Sequence, residues 1–553
     1  MLQQAGSLEA VAAAFSWDIP ERFNMGVAVC DVHAARQPDR VALIRWREDG
    51  AASTVSYGEL ARRSNRLANL FARSGLRPGD RVAVILPQSA DAAVAHIAIY
   101  KAGMIAVPLA RLFAADAIEF RLRRAGVAAV ITNGDGAAKV RAVRERLPAL
   151  RHVLVAGADP AAGGLALGEA LADCADTFAP VDTTPDTPAL IIFTSGTTGP
   201  PKGALHGHRV LLGHLPGVEI HHEFMPQPGD VAWTPADWAW AGGLLNILLP
   251  CLHFGVPVVH GGLERFDPEK AFRLMAEMKV ANAFIPPTAL RLMKTVDRPR
   301  QRFDLAIRTI GSGGESLGRD TFEWARRELG ITVNEFYGQT ECNLVLSSCA
   351  ALGVSRAGAI GKPVPGHRVA VVDEAGRQCA PGTRGQVAVR RPDPVMFLEY
   401  WQDPEATAAK FVGDWMLTGD QCVVDADGYF HFVGRDDDII NSAGYRVGPG
   451  EIEDCLASHP AVRLAAAVGK PDPLRTEVVK AYVVLAEGWR PDAALAEEIK
   501  AHVKARLAAN IYPREVAFVD EIPLTTTGKV IRRHFREQAR LEAQEEAQAA
   551  DRA

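Results

Sequence analysis

Apolar and polar positions along the chain alternate between a helical and a strand period. VSYGELARRSNRLANLFARSG, from Val55, carries its apolar residues on one helical face; RVAVILP, from Arg81, is a short β-rich run; ADAAVAHIAIYKAGM, from Ala90, is helical again. Later runs, ALIIFTS, VPVVHG and AIRTIGSGG, continue this rhythm and predict a large α/β body with mostly covered sheets, its ligand sites on loops leaving strands. From Val369 the texture changes to shorter strands with turn signals, VAVVDEAGR, GQVAVRR and DADGYFHFVG, which predicts a β-rich subdomain closing that body. Beyond Gly434 come the charged run RDDDII, a helical stretch near Glu451 to Ala457, the strand KAYVVL and the helix PDAALAEEIKAHVKARL, enough for a small second α/β domain. The expected division is therefore 1–434, 435–540 and a polar, Ala-rich tail over 541–553, either a fraying helix or disordered.

The length of 553 residues agrees with more than one domain, and the 48% hydrophobic and 23% charged content is that of a soluble globular protein. Sixty-one Lys and Arg against 66 Asp and Glu leave a net charge of −5, so no broad positive field gathers nucleic acid or an anionic membrane. An anionic ligand needs a local site. The longest apolar stretch, Gly242 to Val259, is interrupted by Asn246, Pro250, His253 and Pro257; it reads as buried core and not as a membrane span. The first twenty residues lack a basic start followed by an apolar core, and the eight scattered cysteines contain no CxxC pair, so a cytoplasmic, reduced protein is expected. No internal repeat is present.

The most informative segment is TSGTTGPPKG, Thr194 to Gly203, which follows a hydrophobic strand and holds four Ser or Thr residues, three Gly and a Lys. Glycine lets a backbone approach a phosphate closely, and hydroxyls, N–H groups and an ammonium supply donors. The candidate ligands are Thr194, Ser195, Gly196, Thr197, Thr198, Gly199 and Lys202. A Walker A pattern cannot be placed on it, which removes the P-loop NTPase reading. A plain Gly/Pro surface loop would explain the glycines and prolines but not the hydroxyls followed by Lys202.

This loop resembles the nucleotide-binding loop of the adenylate-forming enzymes, the superfamily of acyl-CoA synthetases, luciferase and peptide-synthetase adenylation domains. Further segments follow in that family's order: GSGGES at Gly311 to Ser316, EFYGQTE at Glu335 to Glu341, LTGD ending at Asp420, GRDDDII with Arg435, SAGYRVGPGEIE, and PLTTTGK ending at Lys529. The resemblance implies that Gly314, Glu315 and Ser316 lie on the adenine side and that Glu335, Phe336, Tyr337, Gly338, Gln339 and Thr340 lie along the acyl-adenylate. It implies that Asp420 and Arg435 hold the ribose, that Glu341 with Thr198 holds Mg²⁺, and that Lys529, with Thr340 and Glu341, is catalytic. Asp437 matches the family's hinge, about which a small domain turns to withdraw Lys529 and present a face around Ala443 to Arg446. Each role suits the chemistry: adenylation makes a carboxylate a good acyl donor, and phosphoryl-type transfer is catalysed mainly by positioned charge.

The closest resemblance within the superfamily is to medium-chain acyl-CoA synthetases, carried by KPDPLRTEVVKAYVVL and FNMGVAVCDVHA. It implies CoA contacts by Gly444, Tyr445, Arg446, Arg475 and Lys504. Acetate-specific relatives place a Trp before the QTE triplet, where this chain has Gly338, so a roomier acyl pocket is expected, lined on another side by Trp238 and Trp240. ANIYPREV departs from the family by lacking a basic residue near Ile511. The expected reaction joins a medium-chain fatty or aromatic acid to CoA through an acyl-AMP, with ATP and Mg²⁺ as cofactors and pyrophosphate and AMP as products. Two alternatives stand beside it: an adenylate-former that loads a carrier protein, and a non-catalytic nucleotide-binding relative. The acid's identity and the oligomeric state, a homo-oligomer included, are left open by the sequence.

Overall fold

A computed structural model of the chain describes every residue except 1, 158–163, 195–199, 262, 264–265, 436–437, 439, 443–444, 473–475, 508–511, 525–529 and 551–553, and gives the backbone only for 435, 441–442, 445–447, 451 and 547–550. Two large sheets form the body. One has eight strands, with a parallel core that includes Arg81–Ile85, Ile105–Pro108 and Ala129–Thr132. The other has nine, with parallel neighbours Asn282–Phe284, Thr309–Gly313 and Asn334–Gln339 near one end. The expected helices appear as Tyr57–Arg73, which starts on a Ser56 cap, and Ala90–Lys101, which starts on a Ser89 cap. From Ala92 to Lys101 every residue of the second is buried, because it shares one hydrophobic cluster with Leu43 of the nine-stranded sheet and Val82 and Leu190 of the eight-stranded one. Such a helix is apolar all round for that reason. The Gly242 to Val259 stretch is core as expected, folding into helical turns over Leu244–Leu248 and Leu249–Phe254 before the strand Val258–His260. Among the described residues no helix is long and apolar enough to cross a membrane.

The β-rich subdomain is a five-stranded antiparallel sheet in which Trp415–Val424 pairs with both Arg384–Arg390 and Phe430–Arg435. A second five-stranded sheet follows, built on the long hairpin of Val462–Asp472 and Thr476–Leu485 and covered by the helices Pro449–Ala457, Ala493–Arg506 and Arg532–Ala550. The last helix runs into the segment expected to be a polar tail. Ion pairs hold it there: Glu542 meets the Lys480 ammonium, Glu546 lies 2.7 Å from Lys470 Nζ, and Phe535 stacks on Tyr482 at 4.3 Å. Both lysines are nearly buried, and each also pairs with Glu515, so the helix supplies the anions that two interior cations require.

Candidate active site

Thr194 ends one strand and Lys202 begins the next, and the two pair across the ladder, so the stem of the Gly/Thr-rich segment is fixed; Ser195, Gly196, Thr197, Thr198 and Gly199 lie outside the described residues. The strand Glu399–Tyr400 adds to the free edge of Lys202–Gly207, with Tyr400 opposite Ala204. This puts the Tyr400 ring 5.3 Å from the Lys202 ammonium, a cation–π contact. The Tyr400 hydroxyl donates to the Glu341 carboxylate. Thr340 and Glu341 form the two-residue turn between Asn334–Gln339 and Cys342–Ser347. The loop lysine and the expected magnesium carboxylate thus meet on one tyrosine, which sequence reasoning did not single out. Among the described residues no three His, Cys, Asp or Glu side chains form a metal-holding group. Mg²⁺ bound mainly through nucleotide phosphates needs only one or two protein oxygens, and the partly engaged Glu341 carboxylate suits that role.

Along Asn334–Gln339 side chains alternate between faces. Tyr337 and Gln339 face the β-rich subdomain, where the Tyr337 hydroxyl (2.6 Å) and the Gln339 amide (2.6 Å) both donate to Asp420 Oδ2. Gln339 also donates to the Thr418 carbonyl at 2.8 Å. Burial, followed by the Asp420 charge, raises the Tyr337 phenol well above its ordinary range, which keeps it a donor. Asp420 lies directly across the ladder from Arg435, so the two expected ribose residues are neighbours on adjacent strands. Phe336 points the other way, packing against His221 and Phe284, so its side chain is core and only its backbone can face a nucleotide. Gly338 shares that side: a Cβ there would lie 2.2 Å from the Leu344 nitrogen and 2.5 Å from Asn343 Cα. Leu344 itself holds φ +62, so the hairpin is tightly folded at this point.

At the adenine segment, Gly314 takes φ +101, a conformation that favours glycine. Glu315 is committed to a neighbouring helix, accepting from the Thr288 N–H and hydroxyl and from Arg291 at 2.6 Å; its side chain braces the segment. Ser316 donates to Asp454 at 3.4 Å, a contact with the Pro449–Ala457 helix. Burial pushes the Glu335 carboxyl up to about 8, opposed by the Leu317 N–H and reinforced by Asp454. Because the folded state holds this proton at a pH where the unfolded chain has lost it, stability falls as pH rises from about 4.5 to about 8. E335Q is therefore expected to melt above the wild type by a margin that grows over that range, read from thermal melts at several pH values.

The two tryptophans differ. Trp238 is buried in the main cluster with His260, which is ordinary core packing, while the half-buried Trp240 meets Phe113 edge-on at 5.8 Å. On the expected CoA face, Tyr445 and Arg446 pair with Ser442 and Asn441. Lys504 and Arg514 flank the Tyr512 ring at 5.3 and 4.4 Å, a basic and aromatic group of which the sequence reading had only Lys504. Gly444, Arg475, Asp437 and Lys529 lie outside the described residues.

Residues 30–401 match the model of the AMP-binding enzyme family, and residues 451–529 match that of the AMP-binding enzyme C-terminal domain. The chain belongs to the AMP-binding enzyme family. This AMP-binding enzyme is 34% identical over 525 residues to the uncharacterized acyl–CoA ligase YtcI of Bacillus subtilis (strain 168), covering 94% of this chain and 96% of that one. It is 33% identical to the human mitochondrial acyl-coenzyme A synthetase ACSM5, covering 94% and 91%. Among solved structures it resembles the anthranilate CoA ligase AuaEII in complex with anthranoyl-AMP, with a TM-score of 0.87, 27% identity and coverage of 95% and 99%. The family and these relatives make the chain an AMP-forming acid–thiol ligase.

Proposed function

We propose that this ligase activates a hydrophobic carboxylic acid, medium-chain aliphatic or aromatic, as its acyl-AMP and then transfers the acyl group to CoA. One observation carries the reading. Gln339 reaches Asp420, and Glu341, two residues on, reaches Tyr400 and through its ring Lys202. The turn at Thr340 and Glu341 thus joins the Asp420 side of the site to its Lys202 side. The hairpin can therefore hold both ends of ATP at once.

Asp420 and Arg435 bind the ribose hydroxyls, with Tyr337 and Gln339 fixing the aspartate. Lys202 and the Gly/Thr-rich segment neutralise the departing pyrophosphate, and Glu341 with Thr198 would hold Mg²⁺, whose charge helps offset that of the phosphates when bound. Lys529 bridges the acid's carboxylate and the α-phosphate. Residues 1–434 form the adenylation unit and 435–540 the small domain, which turns about Asp437 so that the Gly444 to Arg446 face, with Arg475 and Lys504, meets CoA. The thiolate then attacks the acyl carbonyl and AMP departs. Gly338 and Trp240 border the acyl side. The eight cysteines are all free and seven are buried, which supports a reducing, cytoplasmic setting.

The test is a panel of straight-chain acids from acetate to dodecanoate, plus benzoate, assayed for pyrophosphate and AMP release with and without CoA. Multiple-turnover AMP formation should require CoA and be greatest with a medium-chain acid or benzoate. Acetate as the best acid would refute the substrate class. Hydroxylamine-trapped adenylate without CoA consumption would point to a carrier-protein loader.

A further inference from the structure

We propose that Arg532 is a positioning residue that ties the hinge to the segment carrying the adenylation lysine, so that the two move as one piece. This rests on the reading of Lys529 and Asp437 given above. Arg532 is the first residue of the final helix, three residues after Lys529. Its guanidinium spans two elements. Nε and Nη2 donate to the two carboxylate oxygens of Glu453, at 2.8 and 2.5 Å, and Nη1 donates to Asp438 Oδ2 at 3.2 Å. Arg536, one turn on, adds an ion pair at 3.4 Å to the other oxygen of Asp438. Asp438 directly follows the expected hinge residue and is nearly buried; Glu453 sits on the Pro449–Ala457 helix and also accepts from the Ala467 N–H at 2.9 Å.

The surroundings make this link rigid. Leu524 and Val530 form a β-bridge, and the Ile531 N–H donates to the Pro523 carbonyl at 2.9 Å. The helix beyond it is pinned by the Phe535–Tyr482 stack and by the pairs with Lys470 and Lys480. Arg532 is thus a fixed joint among the hinge, the hinge-side helix and the exit of the lysine segment. A planar fork can grip two carboxylates in this way, and a lysine ammonium on the same stem cannot. Asp438 and Arg532 are 94 residues apart in the chain, so only the fold brings these two functional points together.

The two half-reactions test the idea. Acid-dependent pyrophosphate–ATP exchange reports adenylation, and acyl-CoA formation from supplied acyl-AMP reports thioester formation. Misplacing a positioned group by about 1 Å costs on the order of 10²-fold. R532A is expected to lower the kcat of exchange by about that factor, with KM for ATP within about twofold and thioester formation within about threefold of wild type. R532K, which keeps the charge but loses the double grip, should recover only part of the loss, and it carries the test if R532A fails to fold by circular dichroism. Equal losses in both half-reactions, or unchanged exchange, would overturn the proposal and leave Arg532 as domain packing alone. K529A, assayed in parallel, separates the two readings: intact exchange in K529A removes the lysine assignment itself, whatever Arg532 does.

Discussion

Lys529→Ala should lower acid-dependent pyrophosphate exchange by about 10³-fold while ATP still binds and preformed acyl-AMP is still converted to acyl-CoA. The expectation follows from the charge balance of the first step. A carboxylate must approach an α-phosphate that is itself anionic, and an ammonium between the two oxygens offsets their repulsion where negative charge collects. Removing one such preorganised donor costs on the order of 10²–10³-fold in comparable oxyanion sites, and a full positive charge lies at the upper end. Thioester formation needs no such bridge, since the α-phosphate is then part of the leaving group. Exchange kinetics, equilibrium binding of ATP and single-turnover thioester formation decide the matter. Loss of all three together would show a folding defect in place of a catalytic one.

Asp420→Ala is expected to have the second largest effect and to act on both binding and stability. On the proposed reading the variant would lose the acceptor for two ribose hydroxyls, and it also strips the part-buried Tyr337 hydroxyl and one Gln339 donor of their shared partner. An orphaned buried donor costs about 1–3 kcal/mol. The adenylation kcat/KM should fall by roughly 10²-fold or more, chiefly through KM for ATP, and the melting temperature should drop as well. Asp420→Asn, which keeps the shape and an acceptor oxygen, should retain more stability than activity. An ATP titration of exchange and a thermal melt on each variant separate the two contributions; an unchanged KM in both would remove Asp420 from the nucleotide site.

Much of this site was legible in the sequence because the chemistry leaves local marks. The Thr194 to Gly203 run and the Glu335 to Glu341 segment concentrate unusual residue types in short stretches, and a motif can be read without knowing its neighbours. What escaped depends on pairing between distant strands. Tyr400 gains its position only when Glu399–Tyr400 joins the edge of Lys202–Gly207, and nothing in EYW announces that. Tyr337 and Gln339 were assigned to the nucleotide, yet their side chains hold Asp420, a relation set by the meeting of two sheets. Period-two alternation sends Phe336 into the core, and a motif read as a block cannot show that. The Val462–Asp472 strand is hidden by an alanine-rich run that carries no strand signature. The polar end of the chain looked like a tail because the lysines that hold it, Lys470 and Lys480, lie on two strands far upstream.

The tight hairpin at Gly338 bears on how such an enzyme could be redirected to other acids. Acetate-specific relatives carry tryptophan at the equivalent place, and the exchange looks like a one-residue route to short acids. Here the first carbon of any side chain would run into the opposing backbone of Asn343 and Leu344. Engineering shorter-acid selectivity into this protein would begin with the Cys342–Ser347 strand, with position 338 varied only once its neighbour has been moved. A library that randomises 338 alone would set every new side chain against that backbone, whereas Trp240, half-buried against Phe113, is a side chain to vary first.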